Sequence, residues 1–466
     1  MPIINSKKIS EISKDRILLI TTVFLGILII ASAIVYMKEN IPGIMGMIIF
    51  SLVVFILSVL LLKIFYRDLF KTPHKIILIE IIIIMMIAFV IIVETSPNLS
   101  RYFIPSASAG ILLAVLLSPG LALAGVIIVA LLAGVMGDFS LGSFFVLISG
   151  GIAAIYSSGN VRNRKDLNRS GLSILMANSA AILAVDLLSG FSVANIGLDI
   201  AWGAGNAFIS IVIASGMLPI LESVFTITTN IRLLELGDFN QPLLKKLMLE
   251  APGTYHHSLM VGNLVDDACE KIGANSLLAR VGAYYHDIGK LTNPQYFIEN
   301  RTHNKDAHKN LKPNFSALIL KRHVKDGLTL AEEYKLDKVI KDFIEQHHGK
   351  TLMEYFYRKV IEEVKDKDKI DEKDYRYPGP RPMSKEAGVL MLADSVEAAC
   401  RTLDDPTYSR MSGLVTKIIN NKFIDKQLNH CNITLSNLDD IHKSFTKTLS
   451  GIHHSRIEYP EDKEEN

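Results

Sequence analysis

Cysteine is scarce: Cys269, Cys400 and Cys431 are the only three in 466 residues. An odd, scattered trio rules out a disulfide framework and fits a reducing compartment. The plain reading of all three is small buried side chains. Net charge is scarce too, at +2, so the chain lacks the basic field of nucleic-acid-binding proteins, and no nucleic-acid polymer is expected as a partner. The second half shows no alternating strand pattern, which argues against a sheet-built enzyme. Apolar residues are the opposite case. They make up 49% of the chain, high for a soluble enzyme, and they are gathered into runs long enough to span a bilayer.

Eight such runs are read, at 17–36, 43–66, 76–94, 102–118, 120–137, 142–157, 171–190 and 199–221. The fourth to sixth are short and Gly-rich. Gly125, Gly134, Gly150 and Gly151 would let helices approach closely in lipid. Positive charge gathers before the first run (Lys7, Lys8, Lys14, Arg16), after the second (Arg67, Lys71, Lys75), after the sixth (Arg162, Arg164, Lys165, Arg169) and after the last (Arg232). With eight spans, all of these fall on one side, and that side is the cytoplasm. The intervening loops carry Glu39, Glu94 and Asp138 instead. The first run has a long apolar core and no small-residue cleavage site, so it is read as a span and not a signal peptide. Glu80 and Asp186, with Asn178, are polar groups inside spans. They mark either a ligand pocket or inter-helix hydrogen bonds, and a transporter built on them is one alternative.

The expected organisation is a membrane helix bundle over 1–223, a connector over 224–253, an all-helical domain over 254–455 and an acidic tail over 456–466. The fold class is all-α throughout. In the connector, Ile231–Leu236 reads as a short helix and Leu243–Glu250 as another, closed by Ala251-Pro252-Gly253. In the soluble half, helices are expected over His257–Ile272, over Ser276–Tyr285 with Asn275 as its cap, and over Ser316–Asp326, ending at Gly327. Others are expected over Leu330–Tyr334, over Asp337–His347, and from a Ser384 cap toward Arg401. Lys359–Lys373 reads as a charged linker.

Most of the 13 histidines fall between His256 and His348. Adjacent His286 and Asp287 pair a nitrogen donor with an oxygen donor. His257, His323, His347, His348 and Asp394 surround them in the sequence. Neutral imidazole with carboxylate suits first-row divalent metals. Seven donors are too many for one tetrahedral site and about right for two cations sharing a carboxylate. Asp287, beside the central histidine, is the expected bridge. Asp394, amid apolar and small residues, needs a metal or a cation. His303 and His308 read as rim residues, and His256 as a residue that orients its neighbours. Composition and spacing support metal-assisted phosphoester hydrolysis.

The run Leu247-Met248-Leu249-Glu250-Ala251-Pro252-Gly253-Thr254-Tyr255-His256-His257-Ser258 resembles one branch of the HD-domain phosphohydrolases, the seven-transmembrane HD family. So do Asn275–Lys290, Asp374-Tyr375-Arg376-Tyr377 and Ala393-Asp394-Ser395-Val396-Glu397-Ala398-Ala399. The resemblance implies a membrane phosphodiesterase that hydrolyses cyclic di-AMP to linear pApA, with its catalytic domain in the cytoplasm. It implies two divalent cations, Mn or Fe. His257, His286 and Asp394 would complete one site with Asp287, and His323, His347 and His348 the other. Asp287 and Lys290 are the expected catalytic residues, with Lys290 and Arg401 as phosphate ligands. The expected partners are a cyclic dinucleotide, the lipid bilayer and a second copy of the chain. Family members carry an extracellular domain after the first span; here Met37-Lys38-Glu39-Asn40-Ile41-Pro42 reads as a short loop. The alternatives are an HD enzyme for nucleoside triphosphates or alarmones, and a receptor that binds nucleotide without cleaving it.

Overall fold

The computed structural model describes residues 41–136, 140–159, 164–189, 193–301, 307–309, 311–363, 370–403 and 406–452. The chain divides into two compact units, Met1–Ile231 and Arg232–Asn466. The first expected span, the loop up to Asn40, His303 and the acidic tail lie outside the described residues.

The described part of the first unit holds α1 (Ile41–Phe65), α2 (Pro73–Thr95), α3 (Ser106–Leu116), α4 (Pro119–Met136), α5 (Leu141–Ser158), α6 (Arg164–Leu188) and α7 (Val193–Phe225). Five of these, α1, α2, α5, α6 and α7, are long and apolar enough to cross a membrane. They coincide with five of the expected spans. Two others depart from expectation. Residues 102–118 form a 3-10 turn, Arg101–Phe103, and then an 11-residue helix. At 1.5 Å per residue that helix is about 16 Å long, half of a hydrocarbon core. Pro105 and Pro119 set its limits, because proline cannot sit inside a helix without losing a backbone bond. The 120–137 run is α4, whose apolar stretch, Pro119–Gly134, also falls short.

The small residues of α3 explain its place. Ser106, Ala107, Ser108, Ala109 and Gly110 are all buried, and α3 packs against α4, α5 and α7. Gly151 gives up its side chain to Val126, and Gly150 to Asn178. Asn178 donates to the Gly203 carbonyl at 3.2 Å, an inter-helix bond. Glu80 is buried beside an apolar pocket of about 290 Å³. By contrast α1 leaves Ile49, Leu57, Ile64 and Phe65 exposed, as a lipid-facing helix does.

The second unit is helical, and its described residues hold one isolated antiparallel bridge, Leu352 with Arg376. Its helices are α8 (Asn230–Leu236, entering from the first unit), α9 (Pro242–Glu250), α10 (Pro252–Lys271), α11 (Ser276–Tyr285) and α12 (Pro313–Glu333). They continue as α13 (Lys338–Gln346), α14 (Glu354–Glu363), α15 (Lys385–Cys400), α16 (Tyr408–Ile424) and α17 (Leu435–Ile452). One apolar core joins α10, α15, α16 and α17 and takes in all three cysteines. A second joins α9, α11 and α13 to Leu233 and Leu236 of α8. The connector from Arg232 onward is therefore packed into the domain.

Three local expectations are corrected. Helix α10 starts at Pro252, five residues before His257, because proline fits the first helical position, where its missing N–H is not needed. Helix α12 runs through Gly327 to Glu333 and absorbs the expected Leu330–Tyr334 helix. Gly327 has no helix-ending role: a side chain there would press on Ile344 and on the backbone of Gly289. Lys359–Glu363 is the end of helix α14, not a linker.

Candidate metal centre

Helices α10 and α11 form a hairpin closed by Gly273, whose φ of +64 suits glycine. Asn275 then caps α11 by accepting from the Leu278 amide at 3.0 Å. This turn brings His257, in the first half of α10, across to His286 at the C-terminal end of α11. Helix α12 supplies His323, the end of α13 supplies His347 and His348, and α15, capped by Ser384, supplies Asp394.

These seven side chains meet. Asp287, His323, His347 and His348 form one group of converging donors, and His257, His286, Asp287 and Asp394 form another. Asp287 belongs to both. Its Oδ1 lies 3.4 Å from His323 Nε2 and 3.6 Å from His347 Nε2. Its Oδ2 lies 3.2 Å from His286 Nε2 and 3.6 Å from His257 Nε2. Asp394 Oδ1 is 3.1 Å from His257 Nε2, and its Oδ2 is 3.6 Å from His348 Nδ1.

The tautomers follow from the backbone. His286 Nδ1 donates to the Ala283 carbonyl at 2.7 Å, His347 Nδ1 to Ile344 at 2.9 Å, and His323 Nδ1 to Leu320. A carbonyl only accepts, so each Nδ1 carries a proton, and in the neutral ring Nε2 presents a lone pair. Three lone pairs then face the Asp287 carboxylate, and the Nε2 atoms of His323 and His347 face each other at 3.2 Å. Acceptors facing acceptors in a buried site call for a cation between them. His286 Nε2 and Asp287 Oδ1 are buried and make no hydrogen bond. The residues therefore fit two divalent cations, with Asp287 shared between them.

The electrostatics agree for His323, His347 and His348, whereas His286, with no cation balancing Asp287, holds a second proton in its place. Burial holds His323 below its ordinary range, pushes His347 down to about 3, and with His347 alongside holds His348 well below its usual value. Burial opposes charge on His286 and on Asp287 as well. Their mutual attraction outweighs it, with His286 pushed up to about 10 and Asp287 held well below the carboxylate range.

Residues 41–229 match the family described as a 7TM receptor with intracellular HD hydrolase, and residues 254–399 match the HD domain. The cyclic-di-AMP phosphodiesterase PgpH of Bacillus subtilis (strain 168) is 42% identical over 370 residues, 77% of this chain and 51% of that protein. The protein of the same name from Listeria monocytogenes serotype 1/2a (strain 10403S) is 37% identical over 383 residues, 81% of this chain and 53% of that one. The chain thus spans about half the length of the curated relatives it matches. A solved structure of the L. monocytogenes PgpH HD domain in complex with cyclic-di-AMP is 44% identical. It covers 46% of this chain and 100% of that one, with a TM-score of 0.45. The chain belongs to the seven-transmembrane HD family. It is a multi-pass membrane protein.

Around the HD pair, two residues without a role in the sequence reading take one. Glu397, one turn beyond Asp394, meets His257 Nδ1 at 2.5 Å. Burial disfavours a charged His257, yet its bonds to Asp394 and Glu397 raise it above its ordinary value. A carboxylate on the far nitrogen of a donor histidine fixes its ring and tautomer. Glu299 holds Lys290, whose Nζ lies 2.8 Å from Glu299 Oε1 and 2.7 Å from Asp287 Oδ2. Spacing gives no sign of Glu299, which sits in a loop of 3-10 turns. Glu397 had a sequence signal, since i+3 from Asp394 shares its helix face.

The two expected phosphate ligands are both engaged by carboxylates. Lys290 bridges Asp287 and Glu299, and Arg401 Nε donates to Glu397 Oε1 at 2.6 Å. His308 is buried and bonded to the Tyr296 carbonyl at 2.9 Å, and His256 is exposed. Tyr377 stacks on His348 with ring centroids 4.1 Å apart. It is held there by a bond from its amide to the Thr351 carbonyl at 3.1 Å.

Proposed function

We propose that this protein is a membrane-anchored, metal-dependent phosphodiesterase that hydrolyses cyclic di-AMP to linear pApA, with its HD domain in the cytoplasm. The observation that carries the reading is the pair of donor groups sharing one buried carboxylate, with unbonded His286 Nε2 and Asp287 Oδ1 at its centre. The substrate class rests on the two PgpH relatives named for that activity. The cytoplasmic placement is supported by the positive clusters around the spans.

His257, His286 and Asp394 would hold one cation with Asp287, and His323, His347 and His348 the other. Manganese or iron suits this nitrogen-rich set. Bound in pairs, such cations activate water at neutral pH and stabilise the charge of an in-line phosphoryl displacement. The chain's own part is to keep the donors ready. Backbone carbonyls hold the Nδ1 protons of His286, His323 and His347. Burial keeps His323, His347 and His348 neutral. Lys290 offsets part of the carboxylate charge at Asp287, and Glu397 orients His257.

The test is turnover of cyclic di-AMP by the full chain in detergent with Mn. The wild type should release pApA, and His286→Ala and Asp287→Ala should each fall to background. Undiminished turnover in both variants would refute the assignment.

A further inference from the structure

Two buried polar groups of the membrane unit are used differently. Asn178 bonds across to the Gly203 carbonyl, as an inter-helix link does. Glu80 is only 8% exposed, and among the described residues no donor or cation is bonded to its carboxyl. It lines the apolar cavity of about 290 Å³ between α1, α2 and α4. Ile76 and Ile83, one helical turn to either side of it, line the same cavity, so the carboxyl stands on the face of α2 turned to that space.

Among the described residues, Ser58 is the only other polar side chain in the lining, and its hydroxyl donates to the Val54 carbonyl at 2.7 Å. It has no proton left for Glu80. The carboxyl lies about 10 Å along the helix axis from Pro73, the first residue of α2. That end of α2 follows the positive charges of Arg67 and Lys71. A carboxyl at this depth is costly without a hydrogen-bond partner, and an ionisable group inside a span marks a ligand site when the protein supplies no partner. Leu57 and Leu61 of α1 line the cavity and are also 60% and 38% exposed. Since α1 is a lipid-facing helix, the cavity is reached from the bilayer.

We propose that this cavity binds a single-chain amphiphile from the bilayer, whose hydrogen-bond-donating head meets Glu80 and whose alkyl chain fills the apolar space. An apolar cavity of about 150 Å³ takes one benzene, so one about twice that size takes roughly a dozen non-hydrogen atoms, as in a ten-carbon alcohol. A two-chain lipid is too large to enter whole. A molecule of the same length without a donor fills the space and leaves the carboxyl unpaired. The site belongs to the membrane unit and is independent of the hydrolysis reading above.

The experiment photolabels the full chain in lipid nanodiscs with a decanol carrying a diazirine at mid-chain, and maps the labelled peptides by mass spectrometry. Label should fall on the cavity-lining stretches of α1, α2 and α4. Unlabelled 1-decanol should compete about tenfold better than 1-methoxydecane, which has the same chain and no donor, in line with one hydrogen bond to a buried group. Glu80→Leu should remove that preference. Glu80→Gln, which keeps a carbonyl acceptor, should retain it and serves as the folding control. Equal competition by alcohol and ether in the wild type, or a preference that survives Glu80→Leu, overturns the site. So does label spread evenly over the lipid-facing helices, or absent from the cavity because the apolar run 17–36 of this chain fills it.

Discussion

His257 turns one ring nitrogen to Glu397 and the other to Asp394, so removing Glu397 frees the ring without deleting a donor. Glu397→Ala should weaken metal binding by about 10–100-fold, the usual cost of losing such an outer carboxylate. Metal titration followed by calorimetry reads this, and unchanged affinity would contradict it. The histidines also set a pH dependence. His323, His347 and His348 are depressed by burial, with His347 at about 3, against an unfolded value of about 6.5. Below that value the unfolded chain binds protons that the folded chain refuses, so stability falls with pH. The melting temperature of the chelated protein should drop steadily from pH 6.5 toward pH 4, and should also fall as pH rises from 6.5 toward 10, where His286, raised by Asp287, gives up its proton. A flat profile below pH 6.5 would show that His323, His347 and His348 are not held neutral. The seven donors were legible in the sequence because a donor's chemistry is carried by its residue type. The pairing of Lys290 and Arg401 was not, because their carboxylate partners Glu299 and Glu397 are set by packing.

Helix ends show the same division. Asn275 and Ser384 were readable as caps, since each needs only its own side chain and the amide three residues on. Gly327 was misread, and Pro252, rightly read as the stop after Glu250, also starts α10, because glycine and proline have more than one use and tertiary contact decides between them. The 102–118 run was apolar enough for a span, but apolarity does not distinguish a lipid-crossing helix from a short one buried among neighbours. Gly289 is the sharpest packing demand in the site. A side chain there would run into the His323 carbonyl and the Gly327 amide. Gly289→Ala should push α12 away and cost on the order of 1–3 kcal/mol. Thermal unfolding should show a melting temperature several degrees lower, together with weaker metal binding through His323. A variant with unchanged melting and metal affinity would mean that α12 is not held against the HD turn.

For the whole chain, the membrane half was legible from hydropathy, and among the described residues five helices have the length and apolarity to span. The placement of the second unit is a separate matter and has its own test. Protease added to intact spheroplasts should leave the region after Arg232 uncut, and should cleave it once the membrane is permeabilised. Cleavage in intact spheroplasts would put the HD domain outside. The central claim is narrower: two cations held by one chain through a shared Asp287. It is tested most directly by counting metal per chain in the purified full-length protein after loading with Mn and removal of excess. The account predicts two equivalents in the wild type and the loss of both tightly held ions in Asp287→Ala. A wild type that retains one ion or none, or an Asp287→Ala variant that keeps two, would contradict it.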